Sequence, residues 1–159
     1  MTTGDTESSD ASAQADASGE PLAQPVAPSA LAVGVDLLEQ ERLVRTWKRF
    51  GDRFLQKVFT ATELAQAYGR VERLAGRFAA KEACAKALGT GIGKIRWHDI
   101  EIIRLPSGKP AVRLHGAAAE RAQLLGLSAF DVSISDTHAH ALAVVVGVGN
   151  PAPATNRGY

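Results

Sequence analysis

The stretch from Val71 to Leu88 contains no proline, is dense in alanine and runs into Gly89. Alanine is the strongest helix former and an interior proline costs about 3 kcal/mol, so these residues predict one long helix. Glycine just past its end accepts the left-handed conformation in which helices commonly stop. Leu74, Phe78, Cys84, Ala85 and Leu88 recur at helical spacing and predict an apolar stripe that must be covered. Whatever else the chain forms has to pack around this helix.

The remaining segments supply strands for that purpose. Leu31-Ala-Val-Gly-Val35 reads as a buried strand ending at Asp36, after which charged and apolar residues recur at helical spacing through Arg42, Leu43, Trp47 and Phe50. The basic residues of this first helix extend to Lys57. Thr60 lies three residues before Glu63, the spacing of a capping box, and predicts a second, short helix carrying Leu64 and Tyr68. Beyond the glycine-rich run at 89–93, Ile100, Ile102 and Leu105 alternate with charged residues. Val112 and Leu114 follow the Pro106-Ser-Gly-Lys-Pro110 turn, which predicts a β-hairpin. Gly116 to Leu125 predicts an alanine-rich helix, and Val132–Ser135 and Ala141–Val146 predict two strands. The order β-α-α-α-β-β-α-β-β lacks regular βαβ alternation. It predicts an α+β domain with a mainly antiparallel sheet packed against the long central helix.

A length of 159 residues suits one domain, expected over 31–149. Residues 1–30 contain Asp5, Glu7, Asp10, Asp16 and Glu20, no Lys or Arg, and almost nothing large and apolar. They cannot offset the entropy of ordering and predict a disordered acidic tail, unlike a basic-then-apolar targeting peptide. Residues 150–159 predict a flexible C-terminal tail. After position 30 the chain has 18 basic against 12 acidic residues, a net charge of +6 hidden within the overall +1. One cysteine, Cys84, makes neither an internal disulfide nor a zinc cluster, which suits a reducing cytoplasm. The longest apolar run, Ala141 to Val148, falls far short of the ~20 residues that span a bilayer, so no membrane partner is expected.

On local grounds the chemistry stays open. Glu82 and Lys86 stand at i, i+4 on one helical face, a spacing that taken alone favours an ordinary surface pair. Asp36 serves equally as the N-cap of the next helix or as a carboxylate aimed at a cleft. Small residues around Glu82 leave room for a ligand to approach the helix, and the glycine run after Leu88 lets backbone amides reach a phosphate. Two such carboxylates beside a lysine would suit Mg²⁺ that keeps several waters.

A set of motifs, taken together, carries a resemblance. Gly34-Val-Asp36 is followed by Arg53-Phe54, Val58-Phe59-Thr60-x-x-Glu63, Leu74-Ala-Gly-Arg-Phe-Ala-Ala-Lys-Glu-Ala83, Lys86-Ala-Leu-Gly-Thr-Gly91, Gly108-Lys-Pro110 and Val132-Ser-Ile-Ser135. In type and order these resemble the holo-[acyl-carrier-protein] synthases of the 4′-phosphopantetheinyl transferase superfamily, over nearly all of 31–147. The resemblance implies Mg²⁺-dependent transfer of 4′-phosphopantetheine from coenzyme A to a serine of apo acyl carrier protein, releasing adenosine 3′,5′-bisphosphate. It implies Asp36 and Glu82 as catalytic metal ligands and Lys86 on phosphate; the candidate acceptor of the serine proton is Glu82, directly or through a metal-bound water. Gly89, Thr90 and Gly91 would lie beside the phosphates, with Lys109 and Pro110 near the adenosine end. It implies a cytoplasmic homotrimer with sites between subunits, serving fatty acid synthesis. The Ser-x-Ser segment is followed by Asp136 where many members have histidine, and His138 and His140 are left out of the site.

The first helix adds a docking surface. Residues 42–57 hold Arg42, Arg45, Lys48, Arg49, Arg53 and Lys57 against Asp52 alone. Arg42, Arg45 and Arg49 share a face at i, i+3 and i+7, and with Arg53 and Phe54 they are expected to dock the acidic carrier protein. Modest net charge and the lack of an aromatic stacking motif argue against nucleic acid. The rival readings are a non-catalytic basic module and a Mg²⁺-dependent phosphatase.

Overall fold

In the computed structural model, which describes residues 31–149, the chain runs β1 (Leu31–Glu39), α1 (Gln40–Phe50), α2 (Asp52–Val58), α3 (Ala61–Ala67) and α4 (Glu72–Ala87). A 3-10 turn at Trp97–Asp99 leads to β2 (Ile100–Arg104), β3 (Pro110–Leu114), α5 (Gly116–Leu124), β4 (Ala129–Asp136) and β5 (His140–Val148). The two expected tails lie outside the described residues. The strands pair antiparallel, as expected, but in two sheets: a three-stranded one ordered β1-β5-β4 and the separate β2-β3 hairpin.

Two boundaries differ from the sequence reading. The first strand continues past Asp36 to Glu39, because Asp36 pairs with Ala143 and Leu38 with Ala141 on β5. Glu39 occupies the N-cap position of α1, so the capping alternative for Asp36 falls away. The basic helix expected over 42–57 is broken at Gly51, whose φ of 66° and ψ of −159° suit glycine and interrupt the helix. The Gly51 amide donates to Trp47 O at 2.7 Å, and Trp47 Nε1 donates to Asp52 Oδ1 at 3.2 Å, closing α1 and opening α2.

α4 is the centre of the core. The predicted stripe is too narrow a description, since Ala75, Ala79, Ala80, Ala83 and Ala87 are buried along with Leu74, Cys84, Ala85 and Leu88. The alanines admit strands rather than a ligand: β1 and β5 both lie against this helix. At Gly34 the approach is so close that a Cβ would collide with the Ala83 carbonyl and lie 2.7 Å from the Ala87 nitrogen. Gly76 gives β4 similar access, where a Cβ would meet Ile134 Cγ2 at 2.6 Å. The C-terminus of α4 closes in a Schellman motif, with Gly89 N donating to Lys86 O and Thr90 N to Ala85 O.

A buried ion pair sets how α4 sits against its neighbours. Lys81 and Glu63 are fully buried with Nζ and Oε2 2.8 Å apart, and the same ammonium donates to Trp97 O at 3.0 Å and Ile100 O at 2.7 Å. All three lysine donors are thereby used. Glu63 in turn accepts from Thr60 N and Ile102 N, both at 2.8 Å, completing the predicted capping box and fastening α3 to β2. Burial drives the Lys81 pKa below its ordinary value against the opposing pull of Glu63.

The other face of the three-stranded sheet is left uncovered by the described residues. Val33, Val35 and Leu37 of β1 are 58%, 50% and 63% exposed, and Leu142 and Val148 of β5 join them. The crossing at Gly34 generates a direct expectation. Gly34→Ala should lower unfolding free energy in denaturant by about 2 kcal/mol or more, because backbone rather than a flexible side chain blocks the methyl. Gly91→Ala, with nothing within 4 Å of its Cβ position, should stay within about 0.5 kcal/mol of the parent.

Candidate active site

Alternation along β1 places the first carboxylate. Gly34, Asp36 and Leu38 share the face turned to α4, while Val33, Val35 and Leu37 turn away. Since Gly34 meets Ala83 and Ala87, Asp36 arrives beside the flanking helical residues Glu82 and Lys86. Lys86 Nζ lies 2.9 Å from Asp36 Oδ1 and donates also to Val35 O at 2.8 Å. Asp36, Glu82, Arg42, Thr46, Phe54 and Phe78 line one cavity of about 270 Å³, which Leu37, Leu38 and Leu43 complete.

Glu82 makes no hydrogen bond or ion pair among the described residues. Partial burial raises its pKa, and the neighbouring Asp36 charge raises it further, against the lowering effects of Lys86 and Arg42. Two hard carboxylates facing one cavity, one of them without a partner, fit a small divalent cation. Among the described residues no group of three or more His, Cys, Asp or Glu side chains is placed to hold a metal ion. The protein would therefore supply two ligands, leaving the others to substrate oxygens and water.

A second cavity of about 570 Å³ is cationic and shares no lining residue with the first. Arg70, Arg73 and Arg77, from the entry and first turns of α4, converge there with Arg104 at the end of β2. Arg77 is held by its own bonds, from Nε to Ile102 O at 3.2 Å, Nη1 to Arg73 O at 3.0 Å and Nη2 to Gln66 Oε1 at 3.3 Å. Burial lowers its pKa, Glu63 opposes this, and crowding by Arg104 and Arg73 lowers it again, so an anion would relieve the cluster. Sequence reasoning missed these arginines, although 70, 73 and 77 fall at i, i+3 and i+7. Pro110 and Gly108 of the hairpin line this cavity, as does Asp136.

The other expected site residues are dispersed. Gly89 and Thr90 line a third cavity with Lys94 and Arg121, and their amides close α4 instead of standing free for a phosphate. Gly91 follows in the same turn, its carbonyl accepting from Thr90 Oγ1 at 3.4 Å. Lys109 is exposed and paired with Asp131 at 2.9 Å. On α1, Arg45 pairs with Glu41 at 3.3 Å and Arg49 stacks over the Phe50 ring, its guanidinium carbon 5.0 Å from the centroid. Arg53 is exposed on α2, across the Gly51 break. Arg42 departs from the expected separate docking face, because it opens onto the carboxylate cavity and acts electrostatically on Glu82. Phe54 lines that same cavity.

Residues 32–145 match the 4′-phosphopantetheinyl transferase superfamily. The holo-[acyl-carrier-protein] synthase of Koribacter versatilis is 44% identical over 120 residues, covering 73% of this chain and 96% of that protein. The crystal structure of the Neisseria meningitidis holo-[acyl-carrier-protein] synthase aligns with a TM-score of 0.67 at 38% identity, covering 73% of this chain and 96% of that one. The Helicobacter pylori enzyme, solved in complex with coenzyme A, aligns with a TM-score of 0.66 at 33% identity, covering 72% and 98%. With the match running from β1 into β5 and these relatives covered almost end to end, the chain belongs to the 4′-phosphopantetheinyl transferase superfamily.

Proposed function

We infer that this chain is a holo-[acyl-carrier-protein] synthase, moving 4′-phosphopantetheine from coenzyme A to a serine of apo acyl carrier protein. The observation that carries the reading is the carboxylate cavity: Glu82 without a partner among the described residues, beside Asp36, with Lys86 in reach. The serine oxygen attacks the phosphorus that carries the pantetheine. The bridging bond of the diphosphate breaks, and adenosine 3′,5′-bisphosphate leaves. Mg²⁺ held by Asp36 and Glu82 would neutralise charge on that diphosphate, where positioning and electrostatics supply most of the catalysis. Lys86 binds phosphate oxygen. Glu82, which faces the cavity without a hydrogen-bond partner among the described residues, is the candidate acceptor of the serine proton, directly or through a metal-bound water. The arginine cavity takes the nucleotide end, with Pro110 of the hairpin in its lining and Lys109 next to it in sequence but turned to Asp131.

Two features support assembly as a homotrimer with shared sites. The carboxylate and arginine cavities share no lining residue in one chain, and the outer sheet face bearing Val33, Val35 and Leu37 is apolar and uncovered by the described residues. On this reading one copy supplies Asp36 and Glu82 and its neighbour supplies the arginines. No helix among the described residues is long and apolar enough to cross a membrane, and burial raises the lone Cys84 thiol to about 12. A cytoplasmic enzyme serving fatty acid synthesis is what the family resemblance implies, and we carry it as part of the proposal.

Incubation with coenzyme A, Mg²⁺ and apo acyl carrier protein should add one phosphopantetheine by intact mass. Asp36→Asn and Glu82→Gln should each fold normally yet lose about 100-fold or more in rate, the equivalent of a lost charge interaction in the transition state. Near-parental rates in either would remove that residue from the site.

Docking is best tested away from the cavity. Arg45→Glu and Arg49→Glu should each raise KM for the carrier about tenfold with little change in kcat or in KM for coenzyme A, and their KM should depend less on salt. Loss of coenzyme A affinity instead would assign this face to the nucleotide.

For the shared site, Asp36→Asn and Arg70→Glu should each be nearly inactive, while co-expressed mixed trimers should recover about a quarter of parental activity by random assembly. No recovery in verified mixed trimers would place both groups in one copy's site.

A further inference from the structure

The two groups that the transferase reading assigns to the cation and to phosphate are bonded to each other. Lys86 Nζ meets Asp36 Oδ1 at 2.9 Å, and no other hydrogen bond or ion pair reaches the Asp36 carboxylate among the described residues. The carboxylate is sunk in the cleft with its side chain 18% exposed, whereas the lysine side chain reaches over it from solvent, 53% exposed. Lys86 stands in the last turn of α4 on a flexible four-carbon stem, so it is the partner able to leave. Its second bond, to the Val35 carbonyl at 2.8 Å, holds it over β1 and leaves one N–H uncommitted. Of the two carboxylates facing the cavity, then, one is neutralised by a tethered cation and the other is not. Arg42 lines the same cavity and makes no side-chain hydrogen bond to either.

We propose that Lys86 is an exchangeable counter-ion: it occupies Asp36 while the divalent cation is absent and gives up that oxygen as its ammonium moves to the diphosphate. The proposal rests on the transferase reading and adds a positioning role to a phosphate contact. A cation arriving alone must displace Lys86 from the oxygen it needs and approach against like charge, so it binds weakly. A diphosphate that draws Lys86 away exposes Asp36 to the cation. Cation and nucleotide binding are therefore coupled through Lys86, in addition to any direct contact between them, and the coupling is reciprocal. With its lysine end half in solvent, the pair is weak enough for the exchange to reverse after each turnover.

Mn²⁺ binding to the full-length chain, read from the electron paramagnetic resonance of free Mn²⁺, tests this without any turnover. In the absence of nucleotide, Lys86→Met should bind Mn²⁺ about tenfold more tightly than the parent, the scale of removing one adjacent like charge. Lys86→Arg, which keeps the charge and the hydrogen bond, should stay near the parent. Arg42→Gln, which removes a cation from the same cavity but not from Asp36, should shift affinity less than about threefold. Coenzyme A should improve Mn²⁺ affinity by a larger factor in the parent than in Lys86→Met. Unchanged or weaker binding in a folded Lys86→Met overturns the exchange, as does an equal gain in Arg42→Gln. If Asp36→Asn binds Mn²⁺ as well as the parent does, the metal site itself is wrong and the exchange falls with it.

Discussion

Everything in the carboxylate site depends on the backbone of β1 touching the backbone of α4. Gly34 has no side chain to hold the two apart, and Ala83 and Ala87 present only methyl groups. The separation is thus set by main-chain atoms on both sides. With that crossing in place, the two-residue repeat of the strand carries Asp36 to the same face, and the helical repeat carries Glu82 and Lys86 to either side of the contact. A larger residue at any of these positions would lift the strand and take the Asp36 carboxylate away from its partners.

A second constraint keeps α4 from turning about its axis. Lys81 points into the protein, where Glu63 and two carbonyls consume its donors, and the adjacent Glu82 emerges into the cavity. Consecutive helical residues diverge by about 100°, so anchoring one fixes the other. Buried ion pairs are weak contributors to net stability but costly to break singly, which makes this one a device for orientation. The same carboxylate, Glu63, ties α3 and β2 to the helix and lies close enough to act on the pKa of Arg77. Fold and charge layout are therefore built from shared groups, with the acidic cavity and the arginine cavity on separate linings of one frame.

The elements were readable because they rest on local chemistry. Alanine density and Gly89 marked α4, Thr60 and Glu63 marked α3, and alternation about Pro106–Pro110 marked the hairpin. Where the reading failed, a neighbour decided. β1 runs through Asp36 because β5 offers it partners, and α1 ends at Gly51 because that residue adopts a conformation which apolar periodicity does not register. The alanines of α4 suggest room for a ligand in the sequence, but in the fold they make room for strands.

Sequence by itself determined the α+β class and the superfamily and singled out Asp36, Glu82 and Lys86 as candidates, since residue types at fixed spacing are preserved in the linear order. It could not determine which of those groups share a cavity. Arg70, Arg73, Arg77 and Arg104 form one cationic lining only after α4 docks on β2, and Arg42 joins the carboxylates only after α1 folds back from the end of β1. Gly89 and Thr90, by contrast, lose their amides to the local closure of α4 on Lys86 and Ala85, a stop that the glycine already marked in the sequence. Coulombic and hydrogen-bonding partners are chosen by distance in space, and that distance is settled by packing between elements far apart in the chain.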